Sequence, residues 1–381
     1  MAKKRVLIFI DWFLPGDKAG GPVRSVANLI AHLGNEFEFS VITRNTDYTE
    51  SQPYSEVRSD SWNESDYGAR VYYISEQHLS KPTIARLLRE TEYDHVYLNG
   101  MWSQPFTRWP LEYLAKHHRN LPVTIAVRGM LAPSALAIKW FKKKAFLTLA
   151  KWKKLYAAAS FHATTNQEAD QVRAAFGKQV EVHVAGNLPR KFTGERLAHP
   201  KKEPGYVRLI NIARLAPEKN TLYTIESLSG VRSNVELNIW GARYDHEYVV
   251  ACEQAAKKLP ANVKVNFHGP LKTEIIHETI AQSDLMLLPT RGENFGHVIL
   301  ESMQAGTPVL ISDQTPWKEL VNTKSGWELP LKDPGAFAKV IDQVAAMNET
   351  ELEEWRRGAE KMAEQYSNDE KLVALNRALF A

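Results

Sequence analysis

The stretch TRGENFGHVILESMQAGTP, from Thr290 to Pro308, carries the strongest structural signal in the chain. It follows a short apolar run and passes from a polar, glycine-containing loop into an apolar-periodic segment that ends at Gly306. This order predicts a strand, a loop and a helix, the repeating unit of an open α/β sheet. Because ligands bind outside the carboxyl ends of such strands, we expect Glu293 in the ligand-facing loop and Glu301 on the early turns of the helix.

The predicted start of this helix is a second signal. The backbone N–H groups around Phe295, Gly296 and His297, directly after Asn294, would form a helix N-terminus, which is suited to binding phosphate. Acidic residues near a helix N-terminus also occur simply because they complement the helix dipole. The spacing of the two glutamates therefore does not by itself separate a ligand site from a structural feature.

The bulk composition limits the class of protein. A chain of 381 residues is expected to form two domains, at roughly 100–200 residues each. Its 48 basic and 44 acidic residues give a net charge of +4, which does not favour a nucleic-acid partner. The single cysteine, Cys252, allows no intramolecular disulfide, offers no metal cluster and fits a reducing compartment.

The sequence lacks the patterns of a secretion signal and of a membrane span. The first apolar run stops at Asp11, which is short for a signal-peptide core of about 7–15 residues. No run approaches the roughly 18 apolar residues of a membrane helix. We therefore expect a cytoplasmic protein that at most sits on the inner face of a membrane.

The first half of the chain alternates predicted strands with predicted helices. A strand at residues 6–10 leads through a loop into a helix at residues 22–33. Gly20 and Gly21 at the end of that loop would let the backbone approach a ligand closely, although a simple turn explains them equally well. There is no GxGxxG, and the strand at residues 37–43 does not end in an acid, so a dinucleotide fingerprint is excluded.

Three further residues of this half follow predicted strands, and we expect them on the acceptor side of a site: Asp11, Trp102 and Arg128. Simple packing is the alternative explanation for the tryptophan. The polar span at residues 45–68 lacks periodicity and is predicted to be a long loop.

The second half repeats the same kind of pattern. Residues 187–205 are rich in proline and glycine and are predicted to link a domain at residues 1–186 to one at residues 206–368. Alternating strands and helices in both halves predict two doubly wound, Rossmann-like parallel sheets. The loop after the strand at residues 207–212 contains two cations, and glycines follow the next two strands: Arg214 and Lys219, then Gly241 and Gly269.

The segment at residues 135–159 carries seven lysines and no acidic residue. On a helix the lysines fall on one broad side, and Phe141, Leu149 and Trp152 fall on the other, which we expect to pack on the sheet. Aromatic residues interleaved with the lysines predict contact with an anionic membrane surface, with a solvated face or nucleic acid as alternatives. The predicted membrane residues are Lys139, Trp140, Lys142, Lys143, Lys144 and Phe146.

Together these strand-end residues indicate a ligand class. Two such domains would face each other across a cleft. An arginine fork and a lysine suit a diphosphate, whereas carboxylates accept hydrogen bonds from sugar hydroxyls. A nucleotide-diphosphate sugar has both features.

The sequence resembles the retaining glycosyltransferases of family four, which have the GT-B fold. The resemblance rests on Glu293 and Glu301 with the Asn-Phe-Gly between them, on the Arg214–Lys219 loop and on Gly20-Gly21, and it spans essentially the whole chain. It implies that the last helix, residues 369–381, packs back on the first domain. It also implies metal-independent, front-face transfer with retention and no covalent intermediate, so the nucleotide sugar is a co-substrate and no cofactor is expected.

The resemblance also implies roles for individual residues. Arg214 and Lys219 would hold the diphosphate and stabilise the leaving nucleotide, Glu301 would bind ribose hydroxyls and Glu293 would contact the donor sugar. The glycine pair at residues 20–21 would line the cleft, and the base would lie near Gly241 and Gly269.

One position departs from the family pattern. Many relatives carry a histidine where this chain has Arg128. The arginine would bind an anionic acceptor, the phosphate of a lipid carrier or the donor phosphate, but it cannot act as a base.

The sequence therefore predicts a membrane-peripheral glycosyltransferase that acts on a glycan or lipid-linked acceptor in surface polysaccharide or lipopolysaccharide synthesis. Two alternatives remain at this point: a nucleotide-sugar epimerase of the same fold, and a non-catalytic module that binds nucleotide sugars or anionic lipid.

Overall fold

The computed structural model describes residues 3–16, 18–132, 135–136, 140–152, 155–191 and 196–381, without the side chains of residues 140 and 142. The chain divides into two compact units. The first comprises Met1–Lys191 together with Asp369–Ala381, and the second comprises Phe192–Asn368. The boundary falls within the segment predicted as a linker.

Within its described residues, the first unit is built on an eight-stranded sheet, in the order β3-β4-β2-β1-β5-β6-β7-β8. The strands pair in parallel except for the short β3, which runs antiparallel to β4. The strands are β1 (Lys4–Phe9), β2 (Phe37–Arg44), β3 (Trp62–Asn63), β4 (Ala69–Ile74), β5 (His95–Asn99), β6 (Val123–Ala126), β7 (Ser160–Ala163) and β8 (Val182–Val184).

The helices of this unit follow its strands. They are α1 (Gly21–Leu33), α2 (Lys81–Glu90), α3 (Trp109–His117), α4 (Trp140–Trp152), α5 (Asn166–Phe176) and, from the end of the chain, α12 (Glu370–Arg377). The strands are nearly continuous apolar runs because a parallel sheet is covered on both faces. The span at residues 45–68 is not wholly a loop, since it contains β3.

The described part of the second unit has a sheet of six parallel strands, in the order β11-β10-β9-β12-β13-β14. The strands are β9 (Tyr206–Ile212), β10 (Asn234–Trp240), β11 (Val263–Phe267), β12 (Leu285–Leu288), β13 (Val309–Ser312) and β14 (Gly326–Leu329). The helices are α6 (Thr221–Glu226), α7 (His246–Ala256), α8 (Ile276–Ala281), α9 (His297–Gln304), α10 (Pro334–Ala346) and α11 (Glu349–Ser367). Separate apolar clusters cover the two faces, one around Leu237 and one around Met286.

The predicted orientation of helix α4 is wrong. Phe141 and Trp152, expected to pack on the sheet, are 71% and 78% exposed, whereas Phe146 is half-buried against the core. The Phe146 ring lies edge-on to Trp102 at 5.4 Å and under the Arg108 guanidinium at 5.4 Å. Both sides of this helix are partly apolar, so contacts from another segment determine which side docks.

The lysine side of α4 is partly described. Lys144 is exposed, and the Lys143 ammonium donates to the carbonyl of Ala135. Lys139 and the side chains of Trp140 and Lys142 lie outside the described residues.

The last residues of the chain belong to the first unit. Phe380 is fully buried, and its ring lies 5.4 Å from that of Phe37 and 5.7 Å from that of Tyr97. The Arg377 guanidinium forms an ion pair with Glu36. The C-terminal segment therefore fills part of the first core.

We predict that Phe380→Ala lowers the free energy of unfolding of the first unit by about 3–5 kcal/mol, because it empties a buried aromatic site. Urea unfolding measures the change. Leu375→Ala on the exposed side of α12 is the control, with an expected change within about 0.5 kcal/mol. Equal effects of the two substitutions would contradict the packing described here.

Candidate functional site

The loops after β9, β12 and β13 lie side by side at the carboxyl edge of the second sheet, because these strands are neighbours. Parallel strands direct their carboxyl ends to one edge, so loops distant in sequence meet there. The first of these loops carries Arg214 and Lys219, and the second carries Glu293.

An ion pair joins the first two loops. The Lys219 ammonium lies 2.5 Å from Glu293 Oε1, although the residues are 74 positions apart, and both side chains are mostly buried. Arg214 is more exposed, and its Nη2 lies 3.2 Å from Glu218 Oε1 within the same loop. The structure therefore places the predicted lysine and glutamate in direct contact, with the arginine on the same loop as the lysine.

Hydrogen bonds hold these two loops together at the backbone. The Glu218 carbonyl accepts from the Arg291 N–H at 3.0 Å and from Thr290 Oγ1 at 3.1 Å. Asn220 Nδ2 donates to the Pro289 carbonyl at 2.9 Å. The relative position of lysine and glutamate is thus fixed by neutral groups.

The turn that carries Glu293 is fixed from its other side. The Glu293 N–H donates to the Gln314 carbonyl at 3.1 Å, which ties it to the loop after β13. The buried Trp317 indole donates to the Phe295 carbonyl at 2.7 Å. Gly296 has φ 77°, a conformation that favours glycine and reverses the chain into α9.

Helix α9 begins at His297, as the sequence pattern predicts. Its N-cap residue is Gly296, which has no side chain to cap the first-turn N–H groups. The His297 side chain is buried with its ring edge-on to Phe295 at 4.8 Å, and Asn294 precedes this pair. Glu301 lies in the second turn of the helix and is buried.

Gly241 and Gly269 follow the neighbouring strands β10 and β11 and bond to each other, with the Gly241 N–H donating to the Gly269 carbonyl at 3.1 Å. A Cβ on Gly241 would lie 1.8 Å from the Ala213 carbonyl oxygen, whereas one on Gly269 would meet nothing within 4 Å. Close packing on the loop that carries Arg214 therefore accounts for Gly241.

The predicted acceptor-side residues lie in the first unit. Ser103 Oγ donates to Asp11 Oδ1 at 2.9 Å, and burial raises the pKa of that carboxyl. Trp102 packs against helix α4. Gly20 precedes α1 with φ 73°, so its backbone conformation accounts for a glycine there, and Gly21 is the first residue of that helix.

Arg128 ties together several strand ends of the first sheet. It has φ 54°, and its Nε, Nη1 and Nη2 donate to Asn99 Oδ1 at 2.8 Å, Asn187 Oδ1 at 2.6 Å and the Tyr97 hydroxyl at 2.9 Å. The Tyr97 hydroxyl lies 2.7 Å from Nδ1 of His162. Burial of the His162 ring lowers its pKa to about 3. These partners of the guanidinium are neutral.

Sequence reasoning missed several residues that build the site. Glu218, Asn220 and Trp317 support the loops through contacts between distant segments. Asn220 gave a weak signal, as an asparagine directly before a helix, but its φ of 61° and its partners could not be foreseen.

Two kinds of feature were not found in the described part of the chain. No group of three or more His, Cys, Asp or Glu side chains there is arranged to hold a metal ion. None of its helices is long and apolar enough to cross a membrane.

Two Rossmann-like units in one chain are the building blocks of the GT-B fold. The family model for glycosyl transferases group 1 matches residues 192–362, and that for a glycosyl transferase 4-like domain matches residues 20–187. The chain belongs to this family-four type of glycosyltransferase.

Individual relatives are distant. A D-inositol 3-phosphate glycosyltransferase of Streptomyces avermitilis is 25% identical over 275 residues, which cover 66% of this chain and 58% of the relative. Across the curated relatives, the matches span between 25% and 64% of the relative's length.

Solved structures share the fold over almost the whole chain. Sucrose-phosphate synthase of Thermosynechococcus elongatus superposes with a TM-score of 0.74 at 17% identity, covering 99% of this chain and 98% of that one. Anabaena Alr3699/HepE in complex with UDP-glucose superposes with a TM-score of 0.69 at 19% identity, covering 98% of each chain.

We predict that Gly241→Ala destabilises the second unit by about 1–3 kcal/mol, because the added Cβ forces the Ala213 backbone to move. Gly269→Ala is the matched control, with an expected change within about 0.5 kcal/mol. Urea unfolding compares the two, and equal stabilities would show that Gly241 is not required for packing.

Proposed function

We propose that this chain transfers a sugar, with retention, from a nucleotide-diphosphate sugar to a glycan or lipid-linked acceptor. The contact between Lys219 and Glu293 supports the proposal, because lysine is a residue type that binds phosphate and a carboxylate accepts hydrogen bonds from sugar hydroxyls. The UDP-glucose bound in the Anabaena Alr3699/HepE complex supports a nucleotide sugar as the donor.

Each group has a defined task in this proposal. Arg214 and Lys219 bind the diphosphate and stabilise the charge that develops on the leaving nucleotide. The N–H groups at the start of α9 face the same anion. Glu293 binds the donor sugar near the reacting carbon, and Glu301 binds the ribose hydroxyls. The acceptor hydroxyl attacks the anomeric carbon on the same face from which the phosphate leaves. The leaving phosphate oxygen takes the proton of that hydroxyl.

Replacing Glu293 tests this assignment. We expect Glu293→Ala to lower transfer by about 100-fold or more, because it removes a group that acts in the transition state. Donor binding, measured as a thermal shift across a panel of nucleotide-diphosphate sugars, should persist in the variant. Transfer is measured from the correct donor, which the same panel identifies in the wild-type protein.

The matched control is Glu274→Ala, an exposed carboxylate of the same unit, which should transfer like the wild type. Wild-type rates for Glu293→Ala would refute its role. A non-catalytic binding module predicts a thermal shift without any transfer. An epimerase predicts that incubation of the protein with donor alone yields an epimer.

The acceptor side of the proposal rests on helix α4. This helix lies in a segment with seven lysines and no acid, and its exposed side carries Phe141, Leu149 and Trp152. Exposed aromatic residues within a basic helix favour the surface of an anionic membrane. We propose that the chain binds the cytoplasmic face of a membrane through this side and there meets a lipid-linked acceptor of a surface glycan.

We predict that the double variant Phe141→Ser/Trp152→Ser loses most binding to vesicles of phosphatidylglycerol and phosphatidylcholine, because it removes the apolar contact. Flotation with the wild-type protein as reference measures the recovery. The double variant Ile275→Ser/Val321→Ser, which replaces exposed apolar residues of the second unit, is the control and should float like the wild type. Equal recovery with and without phosphatidylglycerol would overturn the proposed anionic surface.

A further inference from the structure

Asn220 lies between the candidate phosphate-binding lysine and the start of helix α6. Its side chain is 4% exposed, and its backbone is left-handed, with φ 61° and ψ 35°. Non-glycine residues seldom adopt this conformation, and asparagine is among the residues that tolerate it best. A buried residue in such a backbone conformation next to a site requires a physical reason.

Both polar ends of the Asn220 side chain reach the loop that leads to Glu293. Nδ2 donates to the Pro289 carbonyl at 2.9 Å, and Oδ1 accepts from Arg291 Nε at 3.2 Å. Beside them, the Glu218 carbonyl accepts the Arg291 N–H. The residues on either side of Lys219 are therefore both fixed to the segment just before Glu293.

No close substitute for asparagine reproduces this arrangement. Glycine accepts the backbone conformation but has no side chain to bridge the loops. Aspartate also tolerates the conformation and can accept from Arg291, but as a carboxylate it cannot donate to the Pro289 carbonyl. Asparagine combines a tolerated left-handed backbone with one donor and one acceptor.

We propose that Asn220 is a positioning residue that sets the distance between Lys219 and Glu293, and so between the diphosphate and the sugar. The inference rests on the proposed function. Asn220 is buried and acts through its neighbours, so it is not itself a catalytic residue. Misplacement of a reacting group by about 1 Å can lower a reaction rate about 100-fold. A small shift of the loop that carries Lys219 is therefore enough to slow sugar transfer.

The test uses the full chain with Asn220→Gly, which keeps the backbone conformation and removes the bridge. Asn262→Gly is the matched control, because the Asn262 side chain also makes two hydrogen bonds. It donates to the carbonyls of Val231 at 3.2 Å and Ser233 at 2.7 Å, and it lies before β11 at the amino end of the sheet. The Arg291 N–H donates to the Glu218 carbonyl, so hydrogen exchange of this amide reports directly on how firmly the two loops are joined. We expect about tenfold faster exchange in Asn220→Gly and no change in Asn262→Gly.

The second readout is the affinity for UDP and GDP, measured by calorimetry. The Asn220→Gly variant is compared in the natural background and in a Lys219→Met background. We expect Asn220→Gly to weaken binding about tenfold in the natural background and to have no effect in a Lys219→Met background, because the bridge acts through that ammonium. An equal loss of affinity in both backgrounds, or behaviour like that of Asn262→Gly, overturns the positioning role. A protected Arg291 amide in a wild-type protein that shows no thermal shift with any nucleotide-diphosphate sugar of the panel overturns the proposed function instead.

Discussion

The contact between Lys219 and Glu293 depends on groups that carry no charge. An ion pair at a protein surface contributes only about 0–1 kcal/mol, and a more buried one gains little unless its geometry is already fixed. Here the geometry is fixed by the Glu218 carbonyl, the Asn220 amide and the Gln314 carbonyl, each of which accepts or donates across loops. The charged groups are held in place, so they are available to a ligand without first having to be assembled.

The two edges of the second sheet differ in how far their charged side chains are buried. Before β12, the fully buried Asp284 lies 3.3 Å from Arg208 and 3.6 Å from Arg356, and Arg356 also lies 2.8 Å from Glu349. Those charged groups are paired with one another inside the protein. At the carboxyl edge, Arg214 remains partly exposed, and the N-cap residue of α9 is a glycine without a side chain. In the proposed function, these groups bind the diphosphate of the donor.

In the first unit, Arg128 has a structural role. Arg128 makes three hydrogen bonds to neutral oxygens from β5 and from the segment after β8, and these bonds fix its guanidinium. Its three hydrogen-bond partners carry no charge, and they hold the guanidinium in one place. Helix α4 has aromatic side chains on two different sides. Phe146 packs against the core of the first unit, whereas Trp152 is exposed.

The sequence by itself determined the alternation of strands and helices, the parallel sheets, and the loops in which Arg214, Lys219 and Glu293 lie. It could do so because burial on both faces makes each strand a short apolar run, and because glycine and proline mark where each run stops. Only the tertiary structure decided that Lys219 meets Glu293, that Asn220 joins their loops, that Gly241 is needed for packing and that Phe146 turns inward. Each of these depends on contacts between segments far apart in the chain, and local periodicity holds no information about such pairs.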